Sequence, residues 1–204
     1  MIPNGAGDEM FVSEFAPKNL DKPHILFQGN FFWLQNVEAA HFLIDKIYPQ
    51  LIKTLPEAKI TISGQNAKRI AYKSKNSLEI IDIDSDDINT VKRLYQKATL
   101  FIAPIYGPGG TRLKILAAMA AGIPVVSTKT GVEGLGVKDN IHALIAHGAR
   151  DFTSKISYIL KHKDNYQKIR ENAYLLVKNN FSWSKIAQKL EMVYKNIKSY
   201  EDRD

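Results

Sequence analysis

Five residues within six positions carry the chemistry most plainly: Gly109, Gly110, Thr111, Arg112 and Lys114. Together with Gly107, the glycines allow backbone conformations and close approaches that a side chain blocks. Leu113, Leu116 and Ala120 then mark one face of a helix, Thr111 is placed to cap it, and Gly122 with Pro124 ends it. A glycine-rich turn opening a helix presents unpaired N–H groups and the positive end of the helix dipole, which suits a phosphate. Arg112 and Lys114 add two cations in that first turn, where they oppose the dipole. The pattern therefore predicts an anion as their partner. The plain alternative is a turn with two solvated cations, and a glycine loop before a helix is weak evidence by itself. Arg112 is the better two-pronged clamp for an anion, whereas Lys114 has open water as its other destination.

Other residues compete for a role. Glu133 lies between two glycines and reads equally as a solvated turn charge or as a partner for a sugar or ribose hydroxyl. Asp82 and Asp84 form an Asp-x-Asp pair of hard oxygen donors. The first of them sits in a strand, and residues 84–87 read as a turn and helix cap, so no metal site is assigned. The five histidines do not cluster, and His41 falls on an apolar helix face, which predicts a packed core residue. The run Phe31-Phe32-Trp33 predicts core or an interface cover more than a base-stacking platform. No catalytic residue is assigned.

The elements that would position these groups alternate. Short apolar strands are expected at 24–28, 59–63, 78–83, 99–103, 123–127 and 142–146. Between them lie helical patterns from Asn36, as a cap, through Leu51 (bent by Pro49 one turn from its end), a short one near 65–72, one at 88–98, and the helix after Thr111. Helices are expected again at 150–162, 165–179 and 183–200. Alternation at this spacing means βαβ units: an α/β, Rossmann-like parallel sheet of about six strands, helices on both faces, and a helical C-terminal extension. Gly29, Gly64, the 107–110 glycines and Gly131 all follow strands and should converge on one edge, where such sheets bind ligands. Residues 1–22 read as a linker or arm whose Phe11, Val12 and Phe15 dock on the body; 23–180 form the sheet domain; 181–204 form a terminal helix.

The 204 residues are 45% hydrophobic, enough for a core, and contain no cysteine, which excludes disulfides and thiolate metal sites. No apolar run reaches the ~20 residues of a membrane span. The opening residues lack the pattern of a signal peptide, so a cytoplasmic location is expected. A formal charge of +7 favours anionic partners. The basic stretch from Lys161 to Lys198 reads first as solvated helix faces and second as adhesion to an anionic membrane surface. Nucleic acid is not expected as a partner, because no aromatic platform interleaves these charges.

Residues 104–122, followed by Pro124-Val-Val-Ser-Thr128 and Gly131-Val-Glu-Gly-Leu135, resemble the nucleotide-sugar-binding, C-terminal half of retaining GT-B glycosyltransferases, the group of glycogen and sucrose synthases. Ile2-Pro-Asn-Gly5 is similar to the segment joining the two halves, Gly29 with Trp33 and Asn36 to the first loop, and Phe181-Ser-Trp-Ser184 to the start of the terminal helix. The resemblance implies a hexosyltransferase-type reaction with a nucleotide-diphosphate sugar as donor and no metal cofactor. It implies nucleotide or phosphate binding at Gly29, Asn30, Gly109, Gly110, Thr111, Arg112 and Lys114, and sugar or ribose contact at Gly131, Val132 and Glu133. It also implies an N-terminal half as partner, without which the chain should be inactive. Three departures qualify it. Gly109 and Ala117 occupy the positions of two family glutamates, and the first loop lacks the family's cation, having Phe31, Leu34 and Gln35 at the nearest positions. These departures favour, as a second expectation, a degenerate binding or assembly module without catalysis.

Overall fold

Six parallel strands form one sheet in the order β3-β2-β1-β4-β5-β6. They are β1 (His24–Gln28), β2 (Lys59–Gly64), β3 (Leu78–Asp82), β4 (Leu100–Ala103), β5 (Val125–Ser127) and β6 (Leu144–Ile145). The computed structural model describes residues 2–72, 77–107 and 112–201. Ile25, Leu26 and Phe27 of β1 and all of β4 are fully buried, which explains why these strands are continuously apolar instead of alternating.

Helices α1 (Leu34–Phe42), α2 (Tyr48–Thr54), α3 (Ile88–Lys97), α4 (Leu113–Ala120) and α5 (Gly148–Lys161) surround the sheet. From β1 the chain moves one way to β2, and from β4 the other way to β5; right-handed crossovers therefore put α1 and α4 on opposite faces. Accordingly α5 packs on α2, while α4 packs on α6 (Lys163–Asn180). Helix α7 (Trp183–Glu201) follows and touches α6.

Several expectations need correction. The helix expected to run through Leu51 is instead divided by a π turn at Leu43–Ile47, and Pro49, which lacks an N–H, falls in the first turn of α2. Residues 65–72 contain only the 3-10 turn Ala67–Arg69. The sixth strand shrinks to two residues because side chains occupy its outer edge: the Ile145 N–H donates to Asp139 Oδ1 at 2.7 Å, and Lys155 donates to the Ile145 carbonyl. His41 is exposed, since it lies on the outer side of α1.

The arm docks firmly. Phe11 and Phe15 meet the Tyr174 ring edge-to-face at 6.0 and 5.2 Å, and Tyr174 donates to the Val12 carbonyl at 2.9 Å. Arg170 lies 4.5 Å over Phe15 and donates to the carbonyls of Gly122 (2.7 Å) and Ala16 (2.9 Å).

Candidate functional site

The sheet reverses its winding between β1 and β4, and the loops leaving these strands face each other above that switch point. The first loop is shaped by two glycines. Gly64, at the end of β2, has φ +136°, and a Cβ there would fall 1.9 Å from the Gly29 carbonyl oxygen. A Cβ on Gly29 would lie 2.9 Å from Lys114 Nζ. Side chains at these positions would therefore push β2 away from the first loop and the lysine out of it.

Polar groups knit the loop to its neighbour. The Asn30 amide donates to Gln65 Oε1 at 2.7 Å, and its oxygen accepts from the Phe32 N–H at 2.9 Å and from Asn66 at 3.1 Å. Buried Asn36 donates to the Asn30 carbonyl at 2.7 Å, which turns its oxygen toward Lys114. The Lys114 ammonium donates to that oxygen and lies 5.4 Å from the centre of the Phe27 ring. Tyr95, stacked on Phe101, binds Gln28 at 2.9 Å and the Lys114 carbonyl at 3.2 Å, fixing the start of α4 against β1. Burial, with Arg112 beside it, pushes Lys114 down to a pKa of about 7. Gln28, Gly29, Asn30, Gly64, Gln65 and Asp84 line a cleft of about 360 Å³ onto which Lys114 opens.

Arg112 stands at the head of α4, buried, and its guanidinium donates to the carbonyls of Gly107 (3.0 Å) and Thr130 (3.3 Å). It thus joins the loop after β4 to the loop after β5. Burial lowers the pKa of Arg112 and nearby Glu133 opposes that. Gly131 and Val132 are buried in a 3-10 turn pinned by Thr128, whose Oγ1 accepts the Gly131 N–H at 2.9 Å. Glu133 is exposed on the rim of a second cleft, about 400 Å³, shared with Lys129 and Asp139.

The structure therefore gathers Gly29, Asn30 and Lys114 at one cleft and sets Val132 and Glu133 at another, with Arg112 between them. Gly109, Gly110 and Thr111 lie outside the described residues. Ala117 is half-buried and lines a small cleft with Lys114, Gln28 and the arm residue Glu9. Asp82 accepts the Ala67 N–H and pairs with Lys68 at 3.4 Å, while Asp87 caps α3 at Thr90. Phe31 is core, whereas Phe32 and Trp33 are exposed. Asn36 is not the helix cap expected of it: Trp33 takes that place, and Asn36 turns inward within the first helical turn. Its role, and that of Gln65, was missed; the available signal was a polar amide set where the helix's apolar face begins.

Residues 22–162 match the sequence profile of glycosyl transferases group 1. An uncharacterised 44.6 kDa protein of the cps region of Klebsiella pneumoniae is 29% identical over 174 residues, covering 82% of this chain and 45% of that protein. Anabaena HepE, crystallised with UDP and glucose, superposes with a TM-score of 0.68 at 16% identity, over 86% of this chain and 49% of its own. The C-terminal domain of a group 1 glycosyltransferase, LpcC from Francisella tularensis, superposes with a TM-score of 0.64 at 16% identity, over 78% of this chain and 86% of that domain. The chain thus spans about half the length of the Klebsiella and Anabaena proteins. The structural matches speak for the fold; the profile, which covers most of the chain, speaks for descent. This chain belongs to the group 1 glycosyltransferases.

Proposed function

We propose that this chain is the donor-binding half of a cytoplasmic glycosyltransferase that moves a sugar from a nucleotide-diphosphate donor to an acceptor. The observation that carries the reading is a half-buried ammonium, Lys114, with neutral partners only among the described residues, opening onto the cleft at the switch point. Family membership and the UDP-bound HepE structure support it. The diphosphate would rest at residues 109–114, on the Gly110 and Thr111 amides, Arg112 and Lys114, with Gly29 and Asn30 as its floor. Gly131, Val132 and Glu133 would meet sugar or ribose hydroxyls. The base would lie over β1 and β2, which stand between the ends of β3 and β4. As the glycosidic bond to phosphate breaks, these cations and the helix N-terminus stabilise the departing diphosphate, so the scheme calls on no metal ion.

An acceptor-binding half would complete the cleft, and the 204 residues alone should transfer no sugar. The exposed Lys161, Lys168, Lys178 and Lys185 are read as solvated, with adhesion to anionic lipid as the second reading, decided by co-sedimentation with anionic vesicles. Ala117, at a family glutamate position, favours a competing reading as a non-catalytic assembly module. Melting temperature measured with UDP, GDP and ADP separates the two. A rise with one of them supports donor binding; no rise with any supports the assembly module.

A further inference from the structure

We propose that Lys114 replaces, from helix α4, the phosphate-binding cation that the first loop lacks, and that Asn36 positions it for this task. The inference rests on the donor-binding reading above and names the residue that selects for a diphosphate.

From Gly29 to Gln35, through the first loop and into the start of α1, the chain contains no basic residue. Its floor nevertheless holds a positive charge, because Lys114 reaches across from α4. Gly29 leaves the gap through which the ammonium enters, since a Cβ there would stand 2.9 Å from Nζ. Asn36, held by its bond to the Asn30 carbonyl, turns an amide oxygen to receive it. The three residues come from β1's loop, α1 and α4 and meet at one point.

This placement serves stability poorly. A half-buried ammonium that has no counter-charge among the described residues loses hydration that a neutral amide and a ring only partly replace. The lysine also sits in the first turn of α4, where the dipole repels it. Arg112 repels it further. Among the described residues, the other ionisable group on the cleft is Asp84, which reaches it from the loop after β3. Such a cation is satisfied by a multiply charged anion entering the cleft, to which it can offer its two other N–H donors while Asn36 retains the third.

The test is calorimetry with the tightest binder of UDP, GDP and ADP, with its monophosphate and nucleoside, and with inorganic pyrophosphate. Lys114→Met keeps the buried stem and removes the charge; Lys114→Gln serves if that variant fails to fold. The expected result is a loss of tenfold or more for the diphosphate and pyrophosphate, less for the monophosphate, and none for the nucleoside. Gln35→Lys, at the start of α1 where it faces Gly107, should restore part of the loss in the Lys114→Met background. Unchanged diphosphate affinity, or an equal loss for the nucleoside, overturns the proposal while donor binding stands. Absence of binding by the wild-type chain to any of the three nucleotides overturns both.

Discussion

Fully or partly buried cations sit at both ends of the sheet, and they are treated in opposite ways. Where the strands begin, Arg170 donates to the carbonyls of Gly122 and Ala16 and covers Phe15, and Lys18 donates to the Gln96 carbonyl in the last turn of α3. These cations lie at the C-terminal ends of α3 and α4, where the dipole welcomes positive charge. Where the strands finish, Lys114 lies at the N-terminal end of α4 with one amide oxygen and one ring. A cation whose surroundings satisfy it holds structure together; a cation set against its surroundings marks where a ligand is expected.

The comparison can be broken at either end. The largest effect should come from Arg170→Ala, which leaves the buried Gly122 carbonyl unpaired, frees that of Ala16, and should lower unfolding free energy by about 3 kcal/mol in urea titrations. Nucleotide affinity of the folded protein should not change; a parallel loss would show that the two ends are coupled.

His24 sharpens the same contrast through pH. It is buried at the start of β1, hydrogen-bonded to Thr61 at 2.7 Å, and burial, aided by Lys97, Lys18 and Lys59, pushes its pKa down to about 4. The unfolded chain therefore holds more protons between pH 6.5 and 4, and stability falls as pH drops through that window. His24→Gln should remove about 1–3 kcal/mol of that pH dependence while leaving binding intact.

Lys114→Met should behave oppositely and raise unfolding free energy by about 0.5–2 kcal/mol. With a folded pKa near 7 against an ordinary value of 10.5, the wild type gains stability as pH rises between the two, and the variant should lose that slope. A destabilised variant with a flat profile would assign Lys114 to the structural group.

The smallest effect concerns Ala117→Glu. The new carboxylate, on α4 and leaning back toward its N-terminus, would accept from ribose hydroxyls and tighten nucleotide binding up to about tenfold. Glu9 and Lys114 line the same small cleft, and repulsion from one and attraction to the other limit the gain. Calorimetry of Ala117→Glu with and without Glu9→Gln measures both terms. If neither Ala117→Glu nor Arg112→Ala alters affinity, the assembly-module reading gains.

Much of the fold was legible because its signals are local. Short apolar runs ending in glycine predict buried parallel strands, and the 3.6-residue spacing of Val91, Leu94, Tyr95 and Ala98 predicts α3. The glycine loop, Arg112 and Lys114 mark the proposed anion site by composition and position in one turn. Element ends were less legible: β6 stops early because Asp139 and Lys155 occupy its edge, a contact that no local pattern announces.

By itself, then, the sequence determined the alternation of strands and helices, the glycines that follow the strands at one sheet edge and the presence of two cations at the head of α4. Period, caps and backbone permissiveness act between near neighbours and leave their mark in the order of residues. Only the tertiary structure decided which cation is tied to loop carbonyls and which stands open. Lys114 meets Asn36 across 78 residues, and Arg170 meets Ala16 across 154. Such pairings depend on how closely packed elements bring backbone and side chain together, here through the gap at Gly29, and that distance is set by the folded core as a whole.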